Sequence, residues 1–177
     1  AVEGFSPRGM DIDRNGIAWV ALASGHMGRF DRNLCRGPLN GPTATGQHCP
    51  EGWSFFAEPL PQFKNIQQSG SSEGSYYTWV DQFDTLGLGP NTPISTGNQS
   101  GSLLVLDDGE WVRLTVPYPL GFYTKWLDGR IDDPDSGWQG RGLWATISSR
   151  APFHMESGAG TTSKVYHFQM RPDPLSN

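Results

Sequence analysis

Three tryptophan-centred segments constrain the fold of this chain more than any other feature. Each is rich in β-branched and aromatic residues, and each is followed by a second strand-like segment with an aromatic or leucine core. The three pairs of segments cover residues 16–24 with 27–31, 76–81 with 101–107, and 142–149 with 163–168. Their central residues Trp19, Trp79 and Trp144 are separated by 60 and 65 positions. A long period built from antiparallel strand pairs predicts propeller blades or a similar array of sheets.

The composition also favours an all-β chain with long ordered loops. The 177 residues include 23 Gly and 14 Pro, and no segment keeps a helical period of apolar positions. We therefore predict a single β-propeller segment over residues 1–177, with about three antiparallel four-stranded blades. The blade-like units cover about 6–34, 76–118 and 121–171, and a long loop insertion covers 35–75.

Charge and hydropathy exclude two classes of partner. The formal net charge is −5, whereas nucleic acids and anionic membrane surfaces select basic patches. No apolar run is long enough for a membrane span. We expect neither a nucleic-acid partner nor a membrane-spanning segment.

The two cysteines, Cys35 and Cys49, suggest an oxidising compartment. The 13 residues between them are rich in Gly, Pro, Asn and Thr, so little besides a covalent link would order this loop. We expect a disulfide, which favours a periplasmic or secreted location. Two buried free thiols remain the alternative, and the spacing does not match a zinc knuckle.

The first repeat resembles a known family. Residues 7–21, followed by Gly28-Arg29-Phe30-Asp31, are similar to a blade of the streptogramin-lyase-like and NHL-like β-propellers. The shared features are a proline and small residue, an Asp-x-x-Gly turn, a tryptophan-bearing strand and a strand that ends in Phe-Asp. The third unit repeats them loosely, and the middle unit matches least.

The resemblance implies a disc of four-stranded blades with a site near a central channel. Complete family members have six or seven blades, so three units imply further blades in a longer chain or in partner chains. The lyases of the family use histidines and a glutamate with a bound magnesium ion. Their Glu-x-His pair has no counterpart here, because His154-Met155-Glu156 has the reverse order, and lyase chemistry is not carried over.

Two groups of oxygen ligands are candidates for Ca²⁺ or another divalent cation. Asp11, Asp13 and Asn15 alternate before Gly16, as in the opening of a calcium loop, although an ordinary hairpin turn is the simpler explanation. The second group lies in the densest charge cluster, for which a solvated turn is the alternative. It consists of Asp132, Asp133 and Asp135.

Histidines and loop aromatics complete the candidates. His26 and His154 lie in predicted loops and could supply an acid/base or metal pair, or they could be unrelated surface histidines. Trp53, Tyr123 and Trp126 could form an exposed platform for a sugar or planar ligand, or they could fill a contact between blades.

Three functions follow from these patterns. The leading prediction is an exported propeller segment that serves as a binding or scaffold module within a longer chain or a multi-chain assembly. The first alternative is a portion of a lyase-like or hydrolase-like propeller enzyme, with a metal or acid/base site at the channel. The second is a carbohydrate-binding module. The partners expected are the remaining blades or other protein chains, together with a small-molecule or sugar ligand.

Overall fold

The computed structural model describes residues 3–44, 48–118, 120–131, 135, 141–147 and 164–170. Apart from 3-10 conformation at Arg32–Leu34, Pro50–Gly52 and Asp135, the regular structure in these ranges is β. Within the same ranges, no helix is long and apolar enough to cross a membrane. The strands form three antiparallel sheets that follow one another along the chain.

The first sheet contains four strands in sequential order, namely β1 (Pro7–Ile12), β2 (Ala18–Leu22), β3 (His26–Phe30) and β4 (Trp53–Ala57). The turn between β1 and β2 is the predicted one, with Gly16 at φ +78°. Between β3 and β4, the Cys35–Cys49 disulfide forms as predicted, with Cα atoms 5.2 Å apart. The fourth strand comes from the 35–75 stretch, so this sheet extends to Ala57.

The second sheet also has four strands in sequential order, namely β5 (Thr78–Asp81), β6 (Thr92–Gly97), β7 (Ser102–Asp107) and β8 (Glu110–Thr115). The sequence Asp-Asp-Gly at residues 107–109, between two apolar segments, favours a hairpin, and this hairpin joins β7 to β8. Strand β6 was not predicted, because its sequence Thr-Pro-Ile-Ser-Thr-Gly contains Pro and Gly, which argue against a central strand. The strand is nevertheless buried along its whole length.

The third sheet has three strands within the described residues: β9 (Leu127–Ile131), β10 (Arg141–Thr146) and β11 (Val165–Phe168), with β10 in the middle. Leu143 and Ala145 on β10 point into the core, as do their partners Phe168 and Tyr166 on β11. Most of the charge cluster that contains Asp132, Asp133 and Asp135 lies outside the described residues.

The sheets stack through their faces, with the first strand of each beside the first strand of the next. Strand β1 lies against β5, and β5 lies against β9. A parallel bridge joins Gly9 to Tyr77, and the Gly9 amide donates to the Tyr76 carbonyl at 2.9 Å. This alignment of first strands, with four-stranded antiparallel sheets, is the arrangement of propeller blades. The predicted fold class, all-β propeller blades, is confirmed.

Two apolar cores lie between the sheets. The core between the first and second sheets is built around Trp19, Met27, Val80 and Leu106. The larger core, between the second and third sheets, surrounds Trp79 and the fully buried Phe122. Each inner face is therefore buried only because a neighbouring sheet covers it.

Candidate functional site

Four side chains lie together near the beginning of the first strand of each of the three sheets. Arg8 is on β1, Tyr76 precedes β5, and Tyr123 and Lys125 precede β9. The Arg8 guanidinium lies 4.3 Å from the centre of the Tyr76 ring, and the Lys125 ammonium lies 5.3 Å from the same point. The Tyr76 and Tyr123 rings are 5.7 Å apart and tilted by 52°. We call these four residues the mouth cluster.

Buried hydrogen bonds fix the position of the mouth cluster. The Asn98 amide group donates to the Thr124 carbonyl at 2.9 Å and accepts from the Thr124 amide at 2.8 Å. Arg8 Nη1 donates to the Ser75 carbonyl at 2.7 Å. Since Thr124 lies between Tyr123 and Lys125, these bonds hold the β9 side of the cluster against the β6–β7 turn, and the β1 side against the segment before β5.

A buried carboxyl group, Glu58, lies close to this cluster. It is 2% exposed, and neither carboxyl oxygen has a hydrogen-bond partner among the described residues. Burial raises the pKa of Glu58 to about 8, and nearby Glu73 adds to the rise. Ser75, Ser95 and Arg8 act in the opposite direction. Glu58 is therefore largely protonated at neutral pH.

The neighbouring Glu73 has a different role. Its Oε1 accepts from the amides of Gly74 and Gln99 at 2.9 and 2.7 Å, and its Oε2 accepts from the Ser100 amide at 3.2 Å. Although Glu73 is buried, its charge is used to hold the β6–β7 turn.

His26, predicted as an acid/base or metal residue, is the first residue of β3 and is 2% exposed. Its Nδ1 lies 3.0 Å from the Ser24 hydroxyl, and its ring packs edge-on against Phe55. Burial lowers the pKa of His26 from its ordinary value, so the ring is neutral at pH 7. Its proposed partner His154 lies outside the described residues, and the enzyme hypothesis stays a prediction.

The predicted calcium loop is engaged in backbone contacts. Asp13 Oδ1 accepts from the amides of Asn15 and Ile17, and its Oδ2 accepts from Trp19 Nε1 at 3.2 Å. Asp11 Oδ2 accepts from the Val80 amide at 3.0 Å and so links the first sheet to the second. These contacts describe a structural hairpin turn.

The other predicted metal ligands are only partly described. Asp135 is exposed, and Asp132 and Asp133 lie outside the described residues. In the ranges that the structure describes, no three His, Cys, Asp or Glu side chains are grouped so as to hold a metal ion. A divalent cation therefore stays a prediction.

The three predicted platform aromatics lie in two different places. Trp53 is the first residue of β4, where its ring stacks on Phe55 at 5.8 Å and packs on Phe30 at 4.9 Å. Tyr123 belongs to the mouth cluster, and Trp126 follows it with 47% of its surface exposed. The structure therefore separates Trp53 from the other two.

The three repeated tryptophans point in one direction along the stack. Trp19 faces the second sheet and is 9% exposed, and Trp79 faces the third sheet and is 7% exposed. Trp144 lies between the inward-facing Leu143 and Ala145, so it points away from the second sheet. There it is 43% exposed and stacks on His167 at 4.1 Å.

Arg8, Lys125 and Glu58 were missed by sequence reasoning. Neither Arg8 nor Lys125 is part of a recognisable sequence motif, and Glu58 follows a short aromatic run. The only usable signal was position: Arg8 and Lys125 lie at or just before the start of a strand, and Glu58 directly follows one.

Comparison with known proteins gives matches only at the level of solved structures. No family model matches the sequence, and no curated protein matches it. The chain is similar to virginiamycin B lyase from Staphylococcus aureus in two structures. One is of a catalytically inactive variant with quinupristin (TM-score 0.42), and the other is of the selenomethionine-substituted protein (TM-score 0.45).

Both lyase chains are 15% identical to this chain. The matches cover 94% and 95% of this chain but 42% of each lyase chain. The chain thus spans less than half the length of the proteins it matches, and they belong to the family that residues 7–31 resemble.

Proposed function

We propose that this chain is a segment of an exported β-propeller protein that acts as a binding or scaffold module, joined to further sheets of its own polypeptide or of partner chains. The observation that carries this proposal is the common direction of Trp19, Trp79 and Trp144. Two of them are covered by the following sheet, and the third has the same orientation but no cover among the described residues.

The energetic argument follows from the exposed area. Burying a large apolar side chain contributes about 2 kcal/mol. Trp144 forgoes part of that contribution, and so do residues at the other end of the stack. On or beside the first sheet, Phe5 is 57%, Met10 43% and Ile12 49% exposed. Apolar surface at both ends of a stack of sheets is typical of a protein–protein contact.

The export part of the proposal is supported by the disulfide. Cys35 and Cys49 are bonded, and the chain has no other cysteine. Disulfides persist mainly in the periplasm or outside the cell. Trapping thiols with iodoacetamide during isolation tests this, because an exported chain stays unmodified until it is reduced.

The assembly part is tested by mass. The natural polypeptide is detected in cell and medium extracts with an antibody against residues 36–44, then sized by denaturing electrophoresis and by sedimentation of the native material. We expect either a polypeptide well above 19.4 kDa or a multi-chain assembly of the 19.4 kDa chain. A 19.4 kDa polypeptide that sediments as a monomer would contradict the proposal.

A further inference from the structure

We infer that the mouth cluster binds a small carboxylate-bearing sugar, with the Arg8 and Lys125 cations around the carboxylate and the Tyr123 ring beside the sugar. This inference rests on the binding role proposed above and gives it a specific ligand class. It is tested on the chain alone, so its failure is distinguishable from failure of the assembly proposal.

The first argument is uncompensated positive charge. Arg8 and Lys125 approach the same Tyr76 ring at 4.3 and 5.3 Å, yet neither forms a salt bridge with any described residue. Both cations therefore lack an anionic partner among the described residues, in a protein whose net charge is −5. A bound anion would supply one.

The second argument is that nearby acids do not supply the anion. Glu58 is buried and largely protonated, because burial raises its pKa to about 8. The Glu73 carboxylate accepts three backbone amides and faces the β6–β7 turn. Neither acid forms an ion pair with the two cations, so the cluster presents positive charge toward solvent, where Lys125 is exposed.

The third argument concerns shape and stiffness. The Tyr76 and Tyr123 rings pack against each other at 5.7 Å, and both are half-buried. Asn98 fixes the backbone between Tyr123 and Lys125 through two hydrogen bonds. Because the Arg8 and Lys125 cations lie over the Tyr76 ring, the neighbouring Tyr123 ring is the aromatic surface that would meet a sugar ring. A positive charge beside such a face matches a sugar acid better than a neutral sugar.

The test uses isothermal titration calorimetry of the full 177-residue chain with trigalacturonate. Cellotriose supplies rings without charge, and acetate supplies a carboxylate without a ring. We expect binding of trigalacturonate to be at least about tenfold tighter than that of either comparison compound, and to weaken as salt is raised. Equal or weaker binding of trigalacturonate would overturn the inference.

Variants assign the site. Arg8→Gln is expected to weaken binding about tenfold, because a half-buried guanidinium makes charge-assisted contacts. Lys125→Gln is expected to weaken it about threefold, because an exposed ion pair contributes less. Tyr123→Ala tests the ring face, and Arg113→Gln, which removes a charge on β8, is the matched control.

Loss of binding through a lost contact can be distinguished from loss of binding through unfolding. Arg8 also bonds the Ser75 carbonyl, so Arg8→Gln can loosen the segment before β5. The exposed Lys125 side chain makes no hydrogen bond with the described residues, and far-UV circular dichroism checks each variant. Unchanged affinity in Lys125→Gln and in folded Arg8→Gln would place the ligand elsewhere and overturn the inference.

Discussion

Buried carboxylates hold the loops of this protein by accepting backbone amides. Asp13 closes the β1–β2 turn, Glu73 holds the β6–β7 turn, and Asp81 accepts the amides of Thr85 and Leu86 after β5. In each case the hydrogen bonds offset the cost of removing the charge from water. Glu58 is the exception, since its two carboxyl oxygens have no such partners among the described residues.

Glu58 therefore makes stability depend on pH. Its folded pKa of about 8 lies above the ordinary value of 4.5, so between these values the folded chain keeps a proton that the unfolded chain releases. The contribution of Glu58 to the free energy of unfolding therefore falls as pH rises from about 5 to 8, by at most about 1.4 kcal/mol per pH unit. His26, whose pKa is lowered by burial, acts in the opposite direction below its ordinary pKa of 6.5. Urea unfolding at several pH values measures this slope.

The variant Glu58→Gln tests the origin of that slope. A neutral amide cannot release a proton, so the variant should lose most of the slope and be more stable than the wild type near pH 8. The control is Glu110→Gln, which alters an exposed side chain on β8 and should keep the wild-type slope. An unchanged slope in Glu58→Gln would show that this residue does not titrate as described.

At the scale of elements, the connection between the first two sheets covers the β2–β3 turn. The Ser71 hydroxyl donates to the Gly25 carbonyl at 3.3 Å, and the Glu58 amide donates to the same carbonyl at 3.0 Å. Gly25 has φ +72°, and a Cβ there would overlap the Ser71 backbone. The turn thus requires glycine for both conformation and space.

Gly16 and Gly25 allow the conformational requirement for glycine to be measured apart from the steric one. Gly16 has φ +78° and open space where a Cβ would lie, whereas Gly25 has a similar φ and no space. We expect Gly16→Ala to cost about 1 kcal/mol from backbone strain alone. Gly25→Ala should cost about 2 kcal/mol more, since overpacking typically costs that much. Thermal or urea unfolding checks the difference, and equal losses would contradict the packing of Ser71 on this turn.

The disulfide acts on the loop between β3 and β4. Cys35 and Cys49 enclose a polar segment whose described residues are mostly exposed, so the crosslink mainly restricts the unfolded chain. Replacing both with Ser should lower the free energy of unfolding by about 3 kcal/mol. Urea unfolding of this variant, compared with the oxidised wild type, measures the effect, and the reduced wild type should unfold like the variant. A loss below about 1 kcal/mol would indicate that the loop is ordered without the crosslink.

At the scale of the whole molecule, the chain is a stack of sheets with apolar surface at both ends. Each internal face is covered, while Trp144 at one end and Met10 and Ile12 at the other are about half exposed. The ends differ in residue type, so they could receive different neighbours. Uncovered apolar surface at both ends fits the proposed place of this chain within a longer series of sheets.

A substitution at one end tests whether that end is a contact surface. Trp144→Arg should reduce self-association of the isolated chain, measured by light scattering at increasing concentration, because it places a charge on the uncovered face. Its fold should be retained, since the Trp144 side chain lies outside the core. The control Phe63→Arg changes an exposed apolar residue of the 58–75 connection. Equal association of both variants and the wild type would contradict a contact at Trp144.

The predicted repeat was wrong in its second unit, because Trp79 lies on β5, the first strand of its sheet, and β5 pairs with β6 rather than with β7. Trp19 and Trp144 lie on second strands, β2 and β10. The sequence alone determined the all-β class, the hairpins around Gly16 and around residues 107–110, and the disulfide. These features depend on residues close in the chain, namely turn glycines, alternating apolar positions and a crosslink over a short polar loop. Only the tertiary structure decided that β6 is a buried central strand, that the three tryptophans share one direction, and that Arg8, Tyr76, Tyr123 and Lys125 meet. Those outcomes depend on which sheet packs against which. The residues brought together are as much as 117 positions apart in the chain, and the sequence around each residue does not indicate its partner.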